Sequence, residues 1–428
     1  MVFLVKAMQK KKYKVVTLGC RTNQYESQAY VKQLREKGFE EAMPGESADV
    51  CIVNTCTVTA TADKKSLHAV RRLSRDYKPN EVIVTGCFAE RGAVLWQELP
   101  TAVRIVPNAR KEKLLEELFP EESWPEFAID HFQAHTRAFV KIQDGCNSYC
   151  SYCIIPFVRG RSVSRSVESI VKEVKGLVEQ GYREIVLTGI NIGDFDGKTT
   201  PPTTLASLVR TLDKIPGLAR LRLSSIDPDE VDSELLDAIV AGKRTCQSMH
   251  IVLQSGSNIT LKRMRRKYTK EDFFVTVAAL KKASPSFAFT TDVIVGFPGE
   301  TESAFNETLE VVRAASFTKV HIFPYSERPK TRASRLENKV PAEVILERKE
   351  RLKSVASEVA FRHRATYLGT QLDVLIEEKS AGDSDLYFGH SDNFLPVFVQ
   401  KKEGVRSNEI VRVTCVGNRQ DGLQGVAQ

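Results

Sequence analysis

The chain has 428 residues and a mass of 47.9 kDa, room for about three domains at roughly 150 residues each. With 42% hydrophobic and 27% charged residues, 24 glycines and 17 prolines, it is neither collagen-like nor low in complexity nor largely disordered. A formal net charge of +8 and a pI near 8.9 are compatible with a polyanionic partner without requiring one.

At the N-terminus only Val2 to Val5 is apolar before Lys6, too short for a secretory core. No run reaches the roughly 18 apolar residues of a membrane span. The expected location is the cytosol, with no membrane partner. Nine cysteines kept reduced there read as metal or redox ligands rather than disulfides.

From Tyr13 onward, β-branched runs alternate with helical periods: strands over 14–18, 50–54, 82–85 and 103–106, with helices over 24–37, 62–75 and 110–118. This is the βαβ pattern of an open parallel α/β sheet, expected over residues 12–125, and 120–136 reads as a linker. A second series places strands over 138–142, 184–187, 220–223, 249–253, 291–295 and 319–323. Helical patterns fall between them over 167–180, 205–214, 231–241, 260–283 and 302–315. Six strands are too few for a full eight-stranded barrel and suit a partial (β/α)6 barrel whose working end is the strand C-termini. A charged helix over 341–364 closes this domain, expected over 132–365. The remainder, 366–428, has no helical period; strand patterns over 371–377, 387–390, 395–399 and 409–415 predict a small antiparallel β-barrel.

The strongest chemical signal is Gly145-Cys146-Asn147-Ser148-Tyr149-Cys150-Ser151-Tyr152-Cys153, directly after the first strand of the partial barrel. Three thiolates this close on one loop can hold three irons of a cubane cluster and leave the fourth iron free for a small molecule. A zinc site would want a fourth Cys or His nearby; His131 and His135 read as surface residues of the linker. A second constellation is dispersed: Cys20, Cys56 and Cys87 each follow a strand of the first domain, with Gly19 and Gly86 before two of them. A parallel sheet brings all three out at one edge, where ligands of open α/β folds sit. Buried structural cysteines are the alternative, and Cys51, Cys246 and Cys415 are read that way.

The Cys146/Cys150/Cys153 triplet at the first strand of a partial barrel resembles the radical S-adenosylmethionine superfamily, and the two cysteine sites with a terminal β-barrel resemble its methylthiotransferase family. The likeness spans essentially the whole chain and includes Leu18-Gly19-Cys20-Arg21-Thr22-Asn23-Gln24-Tyr25-Glu26-Ser27, Asn54-Thr55-Cys56-Thr57-Val58-Thr59, Thr85-Gly86-Cys87, Arg159-Gly160-Arg161, Leu253-Gln254-Ser255-Gly256-Ser257 and Asp292-Val293-Ile294-Val295-Gly296-Phe297-Pro298-Gly299-Glu300-Thr301. It implies two [4Fe-4S] clusters, S-adenosylmethionine as cofactor, and a C-terminal TRAM-like domain that holds RNA. On this reading the Cys146/Cys150/Cys153 cluster reduces S-adenosylmethionine, a radical removes hydrogen from C2 of a modified adenine, and the Cys20/Cys56/Cys87 cluster supplies the sulfur that a second S-adenosylmethionine methylates. Arg21 to Glu26 after Gly19-Cys20 resembles the branch acting on N6-threonylcarbamoyladenosine beside the tRNA anticodon. The alternatives are isopentenyladenosine of tRNA, a ribosomal protein, or a non-catalytic iron–sulfur or zinc RNA-binding protein. An electron donor such as flavodoxin and a sulfur source are further expected partners.

The later strand ends are candidates for the cofactor. Gly189 and Asn191 end the second strand, where glycine lets backbone approach a ligand closely; Ser225, Gln254, Ser255, Val295 and Gly296 end later ones. Basic residues cluster at Arg159, Arg161 and Arg165, at Arg263, Arg265 and Arg266, and over 328–335, an expected phosphate-contacting set. From Tyr367 on, six Lys and Arg face nine Asp and Glu, so aromatic residues such as Tyr387, Phe388 and Phe394 are the expected RNA contacts there.

Overall fold

The computed structural model describes residues 10–132, 136–379, 385–400 and 404–428, without the side chains of Glu378 and Lys379. His135, Gly382, Asp383, Lys401 and Lys402 lie outside the described residues. The chain divides into two compact units: residues 1–131 with 154–160, and residues 132–153 with 161–428.

The first unit is a five-stranded parallel sheet in which Lys12–Thr17 lies between the two-residue edge strand Glu40–Glu41 and Val50–Thr55, followed by Val82–Gly86 and Val103–Ile105. Every residue of Val50–Thr55 is buried, as a central parallel strand covered on both faces requires. Helices Arg21–Glu36 and Ala60–Tyr77 follow the first and second long strands. The second starts where the Thr59 side chain accepts from the Ala62 amide and stops where Lys78 turns left-handed at φ 44°. The helix expected over 110–118 is instead a tight 3₁₀ segment, Asn108–Lys113, running into a short helix Leu114–Leu118. The edge strand Glu40–Glu41 carried no strand signal, being two exposed acidic residues.

In the second unit two parallel sheets follow one another. One contains Arg137–Lys141, Glu184–Thr188 and Arg220–Leu223; the other contains Ser225–Ile226, Ser248–Ile251, Ala288–Val295 and Lys319–Pro324. The third strand passes from one sheet to the other at Ser224, so the six expected strands are present as seven segments. The helix expected over 260–283 is two, Asn258–Met264 and Lys270–Ala283. Arg265 turns left-handed at φ 58° and ends the first. Thr269 and Asp272 then form a capping box that starts the second, a pairing legible in the sequence.

Gln371–Lys379, Leu386–Ser391, Pro396–Gln400, Leu423–Ala427 and Ile410–Asn418 close the C-terminal barrel. Its last strand was not expected, yet it closes the ring by pairing parallel with Pro396–Gln400 and antiparallel with Ile410–Asn418. The barrel belongs to the same compact unit as the partial barrel, joined through Glu184. That carboxylate is fully buried and meets Arg222 Nε at 2.7 Å, Arg220 Nη1 at 3.5 Å and Arg137 Nη1 at 3.9 Å. Arg220 donates to the carbonyls of His390 and Asp373, and Arg222 to that of Asp392. Burial alone would raise the Glu184 carboxyl, but Arg222, Arg137 and Arg220 hold it at about 2.

Candidate cysteine sites and cofactor-binding strand ends

In the first unit the strand order reverses between Lys12–Thr17 and Val50–Thr55, the topological switch point at which open α/β sheets bind ligands. Cys20 and Cys56 follow those two strands and Cys87 follows the next. Their backbones approach closely: a Cβ on Gly19, at φ +99°, would lie 2.8 Å from Cys56 Cβ. One on Gly86, at φ +87°, would lie 2.5 Å from Asn54 Oδ1 and from the Thr55 carbonyl, so no side chain fits before either cysteine. Cys20 is also the N-cap of helix Arg21–Glu36, with no side-chain capping bond, placing the positive end of the helix at this edge. Burial pushes the Cys56 thiol up to about 11, and the nearby Cys87 and Cys20 push it the same way. Burial raises Cys87 too, against the Arg159 guanidinium.

A polar network lies beneath these thiols. Asn23 Nδ2 donates to the carbonyls of Leu18 (2.7 Å) and Thr55 (2.9 Å), tying the first two strand ends together. Arg159 Nε donates to Cys87 Sγ at 3.1 Å, Nη1 to Glu26 Oε1 at 3.1 Å, and Nη2 to Asn23 Oδ1. Glu26, fully buried, also takes Lys111 Nζ at 2.7 Å and Asn54 Nδ2 at 3.2 Å.

The Cys146/Cys150/Cys153 loop of the second unit is shaped by left-handed turns at Gly145 (φ 70°) and Tyr149 (φ 48°). Ser151 anchors it, its amide donating to the Met264 carbonyl and its hydroxyl to that of Arg263, while its own carbonyl accepts from the Ala333 amide. Donors reach two of the sulfurs: the Ser148 amide to Cys146 Sγ at 3.4 Å and Arg266 Nη1 to Cys150 Sγ at 2.9 Å. Tyr152 packs edge-on against Phe297 and walls one side with apolar surface. Among the described residues no three His, Cys, Asp or Glu side chains converge as ligands of a single ion; a cubane, whose thiolates reach separate irons, makes no such demand.

The strand ends divide into two groups. Gln143, which the sequence reading missed, accepts the amides of Ile190 (3.0 Å) and Asn191 (2.9 Å) on its Oε1 and donates to the Gly145 carbonyl, linking the turn after Gly189 to the cysteine loop. Asn191 Nδ2 donates to Glu230 Oε1 at 2.7 Å. Burial first, then the nearby Asp227, push the Glu230 carboxyl up to about 7. Gln254 is held left-handed at φ 61°, and its Oε1 is buried with no hydrogen-bond partner. A buried acceptor left open at a strand end fits a polar ligand such as S-adenosylmethionine. Ser225 lies in the short strand Ser225–Ile226 and is exposed. The other three are engaged within the protein. The Ser255 hydroxyl accepts from the Ser257 amide, the Val295 carbonyl accepts from the Tyr325 amide, and the Gly296 amide donates to Glu300 Oε2.

Three members of the expected RNA-contacting set, Arg159, Arg165 and Arg266, are engaged by protein groups. Arg159, with no exposed side-chain surface, and Arg266, directed at Cys150 and Asp227 and lying over the Tyr268 ring, are turned toward the cysteines. Arg165 binds Glu173 Oε2 at 2.6 Å and the Lys141 carbonyl at 2.9 Å. Arg161 and Arg265 are exposed, and the half-buried Arg263 guanidinium lies against Gly299. Nothing in sequence spacing distinguishes an arginine that meets phosphate from one that meets a thiol.

Residues 140–312 match the radical SAM superfamily, and residues 12–106 match Uncharacterized protein family UPF0004. The chain is 45% identical over 416 residues to threonylcarbamoyladenosine tRNA methylthiotransferase MtaB of Chlamydia pneumoniae, covering 96% of this chain and 97% of that one. It is 38% identical to the protein of that name from Bacillus subtilis, covering 93% and 92%. It is 34% identical to tRNA-2-methylthio-N(6)-dimethylallyladenosine synthase of Finegoldia magna, covering 91% and 88%. Among solved structures, the radical S-adenosylmethionine methyltransferase TsrM of Kitasatospora setae shares the fold, with a TM-score of 0.54 at 16% identity over 74% of this chain and 75% of that one.

Proposed function

Because the chain belongs to the methylthiotransferase family of radical S-adenosylmethionine proteins, we propose that Cys146, Cys150 and Cys153 hold one [4Fe-4S] cluster and Cys20, Cys56 and Cys87 a second. The enzyme converts N6-threonylcarbamoyladenosine of tRNA to its 2-methylthio derivative. The observation that carries the substrate is identity: 45% and 38% with relatives named for threonylcarbamoyladenosine, against 34% with one named for the dimethylallyl nucleoside. When bound, the clusters and S-adenosylmethionine supply one-electron chemistry able to remove an unactivated hydrogen.

The protein's own contribution is placement. Gln143 holds the second strand end against the Cys146 loop, and Gln254 Oε1 and the Asn191–Glu230 pair present polar atoms to the cofactor. Tyr152 and Phe297 keep water from one side. Arg161, Arg263 and Arg265 are the proposed phosphate contacts. The electron comes from a separate donor such as flavodoxin, and the sulfur is replenished from a separate source. The domains we propose, 12–125, 132–365 and 366–428, give cluster, radical and RNA-binding roles in that order.

Nucleoside mass spectrometry of bulk tRNA from cells with and without the gene tests this reading. The expected result is selective loss of 2-methylthio-N6-threonylcarbamoyladenosine. Loss of the isopentenyl derivative instead would overturn the substrate, and no change in either would move a protein substrate or a non-catalytic role forward.

A further inference from the structure

The segment 154–160 belongs to the first unit, although Arg159 follows Cys153 by only six residues in the chain. The side chain it contributes there is an arginine without exposed surface. Three of its N–H groups are committed: Nε to Cys87 Sγ, Nη1 to Glu26 and Nη2 to Asn23. Glu26 is shared with Lys111, itself buried. Burying a guanidinium is costly unless acceptors and an anion face its N–H groups. Arg159 Nε donates to Cys87 Sγ, and a neutral thiol is a weak acceptor. A cubane carried on three thiolates is an anion in either oxidation state, and donors to its sulfurs favour the more negative one.

We infer that Arg159 is the positioning residue of the Cys20/Cys56/Cys87 site: anchored by Glu26 and Asn23, it holds Cys87 as a cluster ligand and raises the reduction potential of the cluster that site carries. This rests on the proposal that those three cysteines hold a cluster. It distinguishes Arg159 from a phosphate-binding arginine and ties the stretch after the Cys146 loop to the electronic state of the other site.

The test uses the full-length Cys150→Ala protein, in which only the first site remains loaded, with reduction followed by electron paramagnetic resonance at a series of applied potentials. Arg159→Gln should make reduction at least tenfold less favourable, a shift of about 59 mV toward more negative potential for one electron. Glu26→Gln, which adds positive charge to the network, should shift it the other way, and Arg159→Lys should fall between Arg159→Gln and the parent. Opposite signs separate the idea from general loosening, which would move the Arg159→Gln and Glu26→Gln variants alike. If Arg159→Gln fails to hold iron, the sign is read from the other two. An unchanged potential in loaded Arg159→Gln, or shifts of one sign in both Gln variants, overturns the inference while leaving the cluster proposal standing. Absence of iron and sulfide in the Cys150→Ala parent overturns the cluster proposal itself, and this inference with it.

Discussion

Arg266 and Cys150, 116 residues apart in the chain, are joined by a hydrogen bond of 2.9 Å from Nη1 to Sγ. The guanidinium is fixed on both sides: its centre lies 4.8 Å above the Tyr268 ring, and it pairs with Asp227. A fixed cation beside a thiolate stabilises the electron-rich state of whatever the thiolate binds. Replacing Arg266 by Gln should lower the rate at which reduced enzyme forms 5′-deoxyadenosine from S-adenosylmethionine by roughly tenfold, about 1.4 kcal/mol of lost stabilisation. Chromatographic assay of that product in single-turnover reactions, normalised to iron content, checks it; an unchanged rate would remove Arg266 from the site.

Cys150→Ala should lower the iron content from about eight to about four atoms per chain, because one cubane loses a ligand and the other is untouched. It should abolish 5′-deoxyadenosine formation together with methylthiolation. Iron and sulfide analysis after anaerobic purification gives the first number, and intact methylthiolation by this variant would refute the placement of the radical chemistry on Cys146, Cys150 and Cys153.

Glu230 gives the metal-free protein a pH signature. Its carboxyl stands at about 7 in the fold against an ordinary 4.5, through burial and then the nearby Asp227. The folded state favours the protonated form, so the contribution is fully present below about pH 4.5 and is lost as the pH rises through about 7. At roughly 1.36 kcal/mol per unit, the loss amounts to about 3 kcal/mol. Denaturant titrations of wild type and Glu230→Gln between pH 5 and pH 8 should diverge, the variant keeping the stability that the wild type sheds. Parallel curves would show that Glu230 does not titrate in this window.

Glu184 has the opposite sign. Held at about 2 by Arg222, Arg137 and Arg220 despite its burial, it contributes stability that is present above pH 4.5 and disappears as the pH falls toward 2. Glu184→Gln leaves those arginines without their carboxylate where the partial barrel meets the β-barrel, and should cost about 3 to 5 kcal/mol at neutral pH. Thermal unfolding measured calorimetrically would show this as a lower melting temperature in the second unit. A variant as stable as wild type would mean that the carbonyls of His390, Asp373 and Asp392 alone suffice for the arginines.

Much of this protein was legible in one dimension because its parts repeat local rules. Alternating β-branched and helical periods located the long strands to within a few residues, since parallel strands covered on both faces are buried throughout, as Val50–Thr55 is, and read as apolar runs such as Val50 to Val53. Cys20, Cys56 and Cys87 were visible because each follows a strand, and a parallel sheet sends successive strand ends to one edge. Strand ends too short or too polar to show a period, Glu40–Glu41 and the split at Ser224, were not visible.

What the sequence alone determined was therefore the positions of the six candidate cysteines, the order of the α/β, partial-barrel and β-barrel segments, and the resemblance that named the chemistry. Only the tertiary structure decided what the charged side chains do. Arg159 and Arg266 look like Arg161 and Arg265 in sequence, each lying in a basic run beside a glycine or another arginine. One pair is buried against thiols and the other left in water, because a guanidinium's role depends on which acceptor the fold sets within 3 Å or so of it. That acceptor, whether Cys87, Cys150 or Glu184, lies tens of residues away along the chain and becomes a neighbour only once the sheets have formed.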